Sequence, residues 1–383
     1  MKRILFIESR YNSFYGAQKS LLKLVQSLDE REFEYKIVTT SDGNFKKGFE
    51  ENNIDVDVIK LGEKANVFGG KILDYTLFDK LIVIIQIIIF NIKLLNYIRK
   101  NQIDIIYVND LRAFLYSILA TKLLNKKNVW YIRTDINSSF LTNLGLSLSD
   151  NIIIIAQGVL RRIPKNKIKK YNNKITNIYT GFDFKQFKIY DKKESKLRLG
   201  ISSEKFVIGY LGSINERKGI DLLIDSYINV SKIYDDLHLL LIGDVSLGYE
   251  EYWEQQLNKL IIADVPFTIK PYRKNVSEGY SAMDIFVLPS NSEGLPRVVI
   301  EAMAHKIPVI ATDVGGISEV IPNNEIGYLI KKGNQYELIK AIELLKENED
   351  YRIKMSKNGQ KYCITKFNHK KFSEDINKFF LDL

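Results

Sequence analysis

Two carboxylates frame the stretch NSEGLPRVVIEAMAHKIPVIAT, residues 291–312. Glu293 stands beside Gly294, Leu295 and Pro296. Glu301 lies between Ile300 and Ala302, inside an apolar run. A carboxylate taken out of water must find hydrogen-bond donors or shift its pKa. Glu301 therefore either pairs with a structural cation or accepts hydrogen bonds from a polar ligand. Upstream, SINERKGIDLLIDSY sets Arg217 and Lys218 before Gly219 at the entrance of a predicted helix, and Gly212 ends the strand before it. Arginine brings a planar fork and lysine a compact charge, a pair suited to a diphosphate; an exposed basic turn is the plain alternative. Carboxylates only accept, and a ribose or sugar offers pairs of hydroxyl donors. Cations and acceptors in one sheet read as a nucleotide-sugar pocket. Gly16, in SRYNSFYGAQKSLL, opens a further predicted helix. A glycine there lets backbone N–H groups approach an anion, although a simple loop glycine looks the same. The stretch is not GxGxxG and gives no support to an NAD-type site.

Positioning such groups takes a scaffold, and the chain alternates strand-like and helix-like segments throughout. RILFIE, YKIVTT, DVDVIKL, DIIYVN, VWYIR, NIIIIA and ITNIYTG are predicted strands in the first half. FVIGYLG, LHLLLIGD, FTIKPY, IFVLPS, IPVIAT and GYLI repeat the pattern in the second. This is the βα alternation of parallel sheets covered by helices, and ligands in such sheets bind at the carboxyl ends of the strands. At 383 residues the chain exceeds one ordinary core. The division is residues 1–183, then 184–365, with 366–383 a C-terminal helix returning to the first domain. GFDFKQFKIYDKKESKLRLG, 181–200, is polar and charged and reads as the linker. Pro296 belongs in the first turn of a helix that ends near His305 and Lys306.

Composition is that of a globular protein, 45% hydrophobic, with net charge +10. A single cysteine, Cys363, excludes an internal disulfide and fits a reducing compartment. The N-terminus reads as a first strand rather than a signal peptide, because its apolar stretch is short and broken by Glu8 and Arg10. Residues 1–185 carry net +11 and the remainder −1. RRIPKNKIKKYNNK, 161–174, holds seven basic residues and no acidic one. A solvated face, anionic lipid, an anionic substrate and nucleic acid all answer to that pattern. LIVIIQIIIF, 81–90, is too closely flanked by Asp79, Lys80 and Lys93 to span a bilayer. It reads as a buried helix, with a helix lying partly in a membrane surface as the alternative. Asp55 and Asp57 alternate as outward carboxylates on an edge strand rather than as a metal site, and no His/Cys cluster has metal-ligand spacing. His238, within a strand, and His305, in a helix-to-strand turn, read as structural.

GAQKSLL, GSINERKG, LLLIGD, PSNSEGLPRVVIEAMA and IPVIATDVGG occur in an order that resembles the retaining glycosyltransferases of family 4 over nearly the whole chain. The paired-glutamate motif is the specific part. The resemblance implies a GT-B architecture, an α/β fold of two facing Rossmann-like domains with parallel sheets. It implies a hexosyltransferase-class enzyme whose donor is a UDP- or GDP-sugar, with no further cofactor and no metal. Glu301 would bind the donor ribose, Glu293 would face the transferred sugar, and Arg217 and Lys218 would hold the diphosphate. Gly16 and Ala17 would abut the phosphate, and Tyr272 and Arg273, after Pro271, would meet the base. Gly212, Gly294, Leu295, Pro296 and Val298 would complete the donor site. Asp110, Arg133 and Asp135 are the acceptor-side candidates. Many members carry an arginine after the strand-ending glycine, where this chain has Ser213, and a histidine where it has Arg133, Thr134 and Asp135. All three histidines, His238, His305 and His369, lie in the C-terminal half, which argues against an inverting mechanism with an enzymic histidine base, although Asp135 or Asp110 could serve instead. The partners implied are a nucleotide sugar and a glycan or polyprenyl-diphosphate-linked acceptor, in bacterial surface-polysaccharide synthesis. An anionic membrane surface fits the charge, and nucleic acid is not expected. The setting would be cytoplasmic, peripheral on the inner face of the cell membrane. A nucleotide-sugar epimerase of the same fold and a catalytically silent GT-B partner subunit are the alternatives.

Overall fold

The structure, a computed structural model, describes residues 1–67, 71–273 and 275–383. It divides into two units. The first comprises residues 1–155, 159–180 and 372–383, and the second 156–158 and 181–371.

In the first unit β1 (Lys2–Glu8), α1 (Gly16–Val25), β2 (Phe33–Thr39), α2 (Asn44–Glu50) and β3 (Asp57–Val58) run outward to one edge. The chain then returns through α3 (Leu77–Lys100) to β4 (Ile105–Val108), α4 (Leu111–Leu123) and β5 (Lys127–Ile132). It continues through α5 (Phe140–Leu148), β6 (Asn151–Ile154), α6 (Lys165–Tyr171) and β7 (Ile175–Asn177). The strand order is β3-β2-β1-β4-β5-β6-β7, with every pairing parallel. Helices cover both faces of such a sheet, so the inner strands are continuously apolar; IIYV of β4 is buried at every residue.

The second unit repeats the plan. Its order of introduction is α7 (Lys192–Arg198), β8 (Phe206–Leu211), α8 (Ile220–Ser231), β9 (Leu237–Ile242), α9 (Glu250–Ile262) and β10 (Phe267–Lys270). Next come α10 (Ser277–Ser281), β11 (Ile285–Leu288), α11 (Arg297–Ala304), β12 (Val309–Thr312), α12 (Ile317–Val320) and β13 (Tyr328–Ile330). The helices α13 (Gln335–Glu347), α14 (Glu349–Lys366) and α15 (His369–Leu381) close the chain. The sheet order is β10-β9-β8-β11-β12-β13, again all parallel.

Three sequence expectations change. The 181–200 segment is only in part a linker. Asp191 caps α7 through the Glu194 N–H, and the buried Lys196 ammonium meets Asp284 at 2.8 Å, so its charges are structural to the second unit. The C-terminal return to the first unit begins at Phe372 rather than at residue 366, because α14 packs along α11, with Gln360 Nε2 donating to Ala304 O at 2.9 Å. Beyond that point Phe372, Ile376 and Phe380 are buried, and the Phe380 ring lies 6.2 Å from Phe6 and 6.0 Å from Phe33. Third, LIVIIQIIIF does form a helix, within α3, but not a buried one. Only Val83 and Phe90 of that stretch are buried, while Ile84, Ile85, Ile88 and Ile89 are exposed. Docking one side of a helix hides one stripe, and this run is apolar all round.

Candidate active site

In the second unit the chain leaves β8 toward β9 on one side, then returns to place β11 on the other. The loops after β8 and β11 therefore emerge side by side at the carboxyl end of the sheet, at its switch point, where ligands bind in sheets of this kind. Arg217 and Lys218 stand on the first loop, in a single 3-10 turn, Glu216–Lys218. Glu293 and Gly294 stand on the second. The two loops are laced together: Asn291 N donates to Arg217 O at 2.8 Å, and Asn291 Nδ2 to Glu216 O at 2.9 Å.

Glycine is required where these loops close. Gly219 is left-handed, with φ 68°, and a Cβ there would fall 2.1 Å from Pro289 O. It ends the Arg217–Lys218 turn and opens α8 in the same step. Gly315, with φ 53°, would place a Cβ 1.7 Å from Glu293 O, so the TDVGG loop after β12 lies directly against the Glu293 backbone. The helix α11 carries no side-chain cap at its start, which leaves backbone N–H groups there for an anion, whereas in the first turn of α8 the Asp221 N–H donates to Tyr252 Oη at 3.2 Å.

Lys218 Nζ meets Glu293 Oε1 at 2.6 Å, and Ser290 Oγ donates to the same oxygen at 2.8 Å. Arg217 donates to Ser292 O at 2.7 Å and comes within 3.9 Å of Glu293 Oε2. Burial pushes the Glu293 carboxyl up, but the charges of Lys218 and Arg217 and the hydrogen bonds from Lys218 and Ser290 outweigh it and hold it below the usual range. Glu293 is thus ionised and anchors the cation.

Glu301 lies one helix further on. Tyr280 Oη donates to its Oε2 at 3.1 Å, and Arg297 approaches its Oε1 at 3.5 Å. Tyr280 is buried, and its hydroxyl is pushed well above its ordinary range by burial and by the Glu301 charge, so it remains a donor. Leu295 is buried, Pro296 is the N-cap of α11, and Val298 O accepts from Tyr280. Tyr272 and Arg273 are exposed after β10, and Tyr272 N donates to Asp244 Oδ1 at 3.2 Å. Ser213 follows β8, and its carbonyl accepts from Tyr210 Oη at 2.9 Å. His305 sits in a packed turn, stacked on Phe187 and Tyr280, and His238 pairs with Thr268.

The acceptor-side candidates lie in the first unit, two of them in one network at the carboxyl ends of β1, β4 and β5. Asp110 caps α4 and accepts from Ser9 Oγ at 2.9 Å. Arg133 donates from Nε to Asn109 Oδ1 at 2.8 Å, and its guanidinium lies 4.0 Å over the Tyr131 ring. Asn109 in turn donates to Glu8 at 2.6 Å, and Gln18 approaches the same carboxylate at 3.3 Å. Burial and the Asp110 charge raise Glu8 to about 8. Asp135 is instead held by Arg162 at 3.0 Å. Gly16 and Ala17 open α1 at the same sheet end. Sequence reasoning missed Glu8, Asn109, Ser290 and Tyr280. Position supplied a signal for Glu8, Asn109 and Ser290, which stand at or directly after strand ends, but none for Tyr280. Among the described residues no group of three or more His, Cys, Asp or Glu side chains is placed to hold a metal ion. Asp57 lies on the edge strand β3 and accepts from Tyr97 Oη.

Residues 191–362 match the family model described as "Glycosyl transferases group 1". The chain is 31% identical over 248 residues to the capsular polysaccharide biosynthesis glycosyltransferase CapM of Staphylococcus aureus, with 63% of each chain covered. It is 30% identical over 190 residues to the lipopolysaccharide core biosynthesis mannosyltransferase LpsB of Rhizobium meliloti, covering 48% of this chain and 54% of that one. The chain thus spans between half and two thirds of these relatives. The crystal structure of Anabaena Alr3699/HepE in complex with UDP superposes over all of both chains, with TM-score 0.82 and 19% identity. The two parallel-sheet α/β units are those of the GT-B fold. Together the matches support a transferase enzyme.

Proposed function

From a second unit that matches the group 1 glycosyl transferases, we propose a retaining, metal-independent glycosyltransferase of the family 4 kind. It moves a hexosyl group from a UDP- or GDP-sugar to a glycan or polyprenyl-diphosphate-linked acceptor in bacterial surface-polysaccharide synthesis, at the cytoplasmic face of the membrane. The observation that carries the reading is the Lys218–Glu293–Ser290 cluster, with Arg217 beside it, at the β8/β11 switch point. The setting is supported by relatives named for capsule and lipopolysaccharide synthesis. The donor class is supported by the UDP bound in a structural neighbour.

In this reading Arg217, Lys218 and the uncapped start of α11 hold the diphosphate. They act most strongly as its charge grows on leaving, which is where catalysis is gained. Arg217 takes the duty of the cation absent at Ser213. Glu293 positions Lys218 and presents its remaining acceptor capacity to the sugar. Glu301, oriented by Tyr280 and Arg297, accepts the ribose hydroxyls. The sugar passes through an oxocarbenium-like state. The acceptor attacks the face the diphosphate leaves, and its proton passes to the departing phosphate oxygen.

The test is a donor screen with the purified protein, with and without glycan acceptor, in buffer containing EDTA. Acceptor-dependent release of nucleoside diphosphate is expected, at a rate EDTA does not change. Conversion of the sugar without release would indicate an epimerase. Donor binding without either would indicate a silent subunit. Glu301→Gln keeps shape but loses the charge, so nucleoside diphosphate affinity measured by calorimetry should fall by ~1.5–3 kcal/mol. Unchanged affinity in the folded variant would sink the ribose assignment.

A further inference from the structure

The exposed face of α3 is unlike an ordinary solvent face. Val83, Phe90, Leu94 and Ile98 point inward. Leu77, Leu81, Ile84, Ile88 and Ile92 recur on the outward side at helical spacing, and all are exposed; Leu77 is 87% accessible and Ile84 54%. Phe78, Ile85 and Ile89 widen the stripe. It extends over about 22 Å at the rise of an α-helix. Two amides of the same helix, Asn91 and Gln86, are turned to the protein. Asn91 is buried, donates to Tyr116 O at 2.7 Å and accepts from Ala120 N at 2.9 Å, fixing α3 to α4. Gln86 accepts from Ala65 N at 2.9 Å. The helix is thus apolar on both sides: Val83, Phe90, Leu94 and Ile98 pack inward, and a second apolar stripe is left facing out. A core helix has no use for that arrangement, and water penalises it.

We propose that the outward face of α3 is a docking surface for an anionic bilayer, with the helix lying in the plane of the interface. By length and composition α3 could cross a membrane. Its inward side, however, is docked from Val83 to Ile98, so the helix stays against its own unit. Charge identifies the occupant. The apolar stripe stops at Ile92, and Lys93, Arg99 and Lys100 follow, all exposed and without a carboxylate partner among the described residues. The one acidic residue of the helix, Asp79, is neutralised by Lys64. Anionic headgroups complement these cations, and the acyl boundary takes the isoleucines. A protein partner would be expected to meet aromatic anchors and hydrogen-bonding groups; this face is almost wholly aliphatic. Leu119 and Leu123 of α4, against which α3 packs, are exposed as well. The inference assigns a surface in the first unit and does not rest on the donor reading of the second.

Sedimentation with vesicles tests it, using phosphatidylglycerol and phosphatidylcholine in equal parts against phosphatidylcholine alone. The wild type should pellet with the anionic vesicles, and raised salt should weaken but not abolish the binding, because only the charge contribution is screened. Ile84→Asn with Ile88→Asn should cut binding about tenfold or more at every salt concentration. Lys93→Gln with Lys100→Gln should weaken it at low salt only. Phe78→Ser with Leu81→Ser, on the same face, must reproduce the isoleucine result, and circular dichroism must show all variants folded. The proposal is overturned if the wild type stays in solution at low salt, or if the isoleucine variant pellets undiminished. It is equally overturned if the wild type is a dimer without lipid that this variant dissociates, since a second copy then covers the face. Nucleoside diphosphate titration runs in parallel: loss of that binding in the wild type removes the donor reading and leaves the lipid result standing.

Discussion

The Lys218–Glu293 contact joins two side chains that are both mostly buried, 12% and 9% exposed. Removing the cation leaves a carboxylate in a poor solvent. Lys218→Met should therefore destabilise the protein by ~3 kcal/mol or somewhat less, since Arg217 remains near. Adding Glu293→Gln should restore much of the melting temperature but not turnover, because the diphosphate cation is still gone. Recovery of both in the double variant would show that the pair is structural only. Glu8 gives a pH signature in the other unit. Its folded pKa, about 8, lies above that of an exposed carboxyl. The folded state thus holds a proton that the unfolded state has already released, and stability must fall as pH rises between roughly 4.5 and 8. Glu8→Gln should flatten that fall, which is on the order of a few kcal/mol in all, as read from melting temperatures between pH 5 and 8.5.

Among the elements, the turn that carries Arg217 and Lys218 depends on Gly219. A side chain there must adopt a left-handed conformation, at ~1–2 kcal/mol, and also push against Pro289 O at the end of β11. Gly219→Ala should lower the melting temperature and, by shifting both cations, weaken diphosphate binding more than nucleoside binding. Equal loss for both ligands would place the diphosphate elsewhere. The motif RKG is legible in sequence as a basic turn before a helix. Its partner is not legible, because β8 and β11 are neighbours only through the crossover of the sheet. The same limit explains α7. A polar, charged stretch looks like linker until Asp284, remote in sequence, supplies the counter-charge for Lys192 and Lys196.

At the scale of the molecule, α15 begins in the second unit and continues in the first from Phe372 onward. Its Phe380 is fully buried and lies near Phe6, Phe33 and Tyr107, and Asn377 Nδ2 donates to Ser27 O at 2.7 Å. A chain ending at Lys371 loses these large side chains, each worth ~3–5 kcal/mol when removed from a core. It should melt in two steps, the first unit well below the second, with nucleoside diphosphate binding retained by the second. Calorimetry with and without nucleotide distinguishes the steps. A single unchanged transition would mean that α15 contributes little.

The alternation of apolar strands and helices was enough to predict two parallel-sheet units, because burial on both faces imposes continuous apolar strands whatever their order. Glu293, Glu301, Arg217 and Lys218 were legible as a group because their types and flanking glycines form local patterns. Strand order, which brings Lys218 to Glu293 across the sheet, is set by non-local pairing that no local pattern encodes. Glu8 escaped notice because its environment is built from β4 and α1, remote from its own strand. The isoleucines of α3 show the limit most plainly. Apolar content predicted a helix that wants to leave water, but only the docking of Val83, Phe90, Asn91, Leu94 and Ile98 against the protein determined which apolar side faces out.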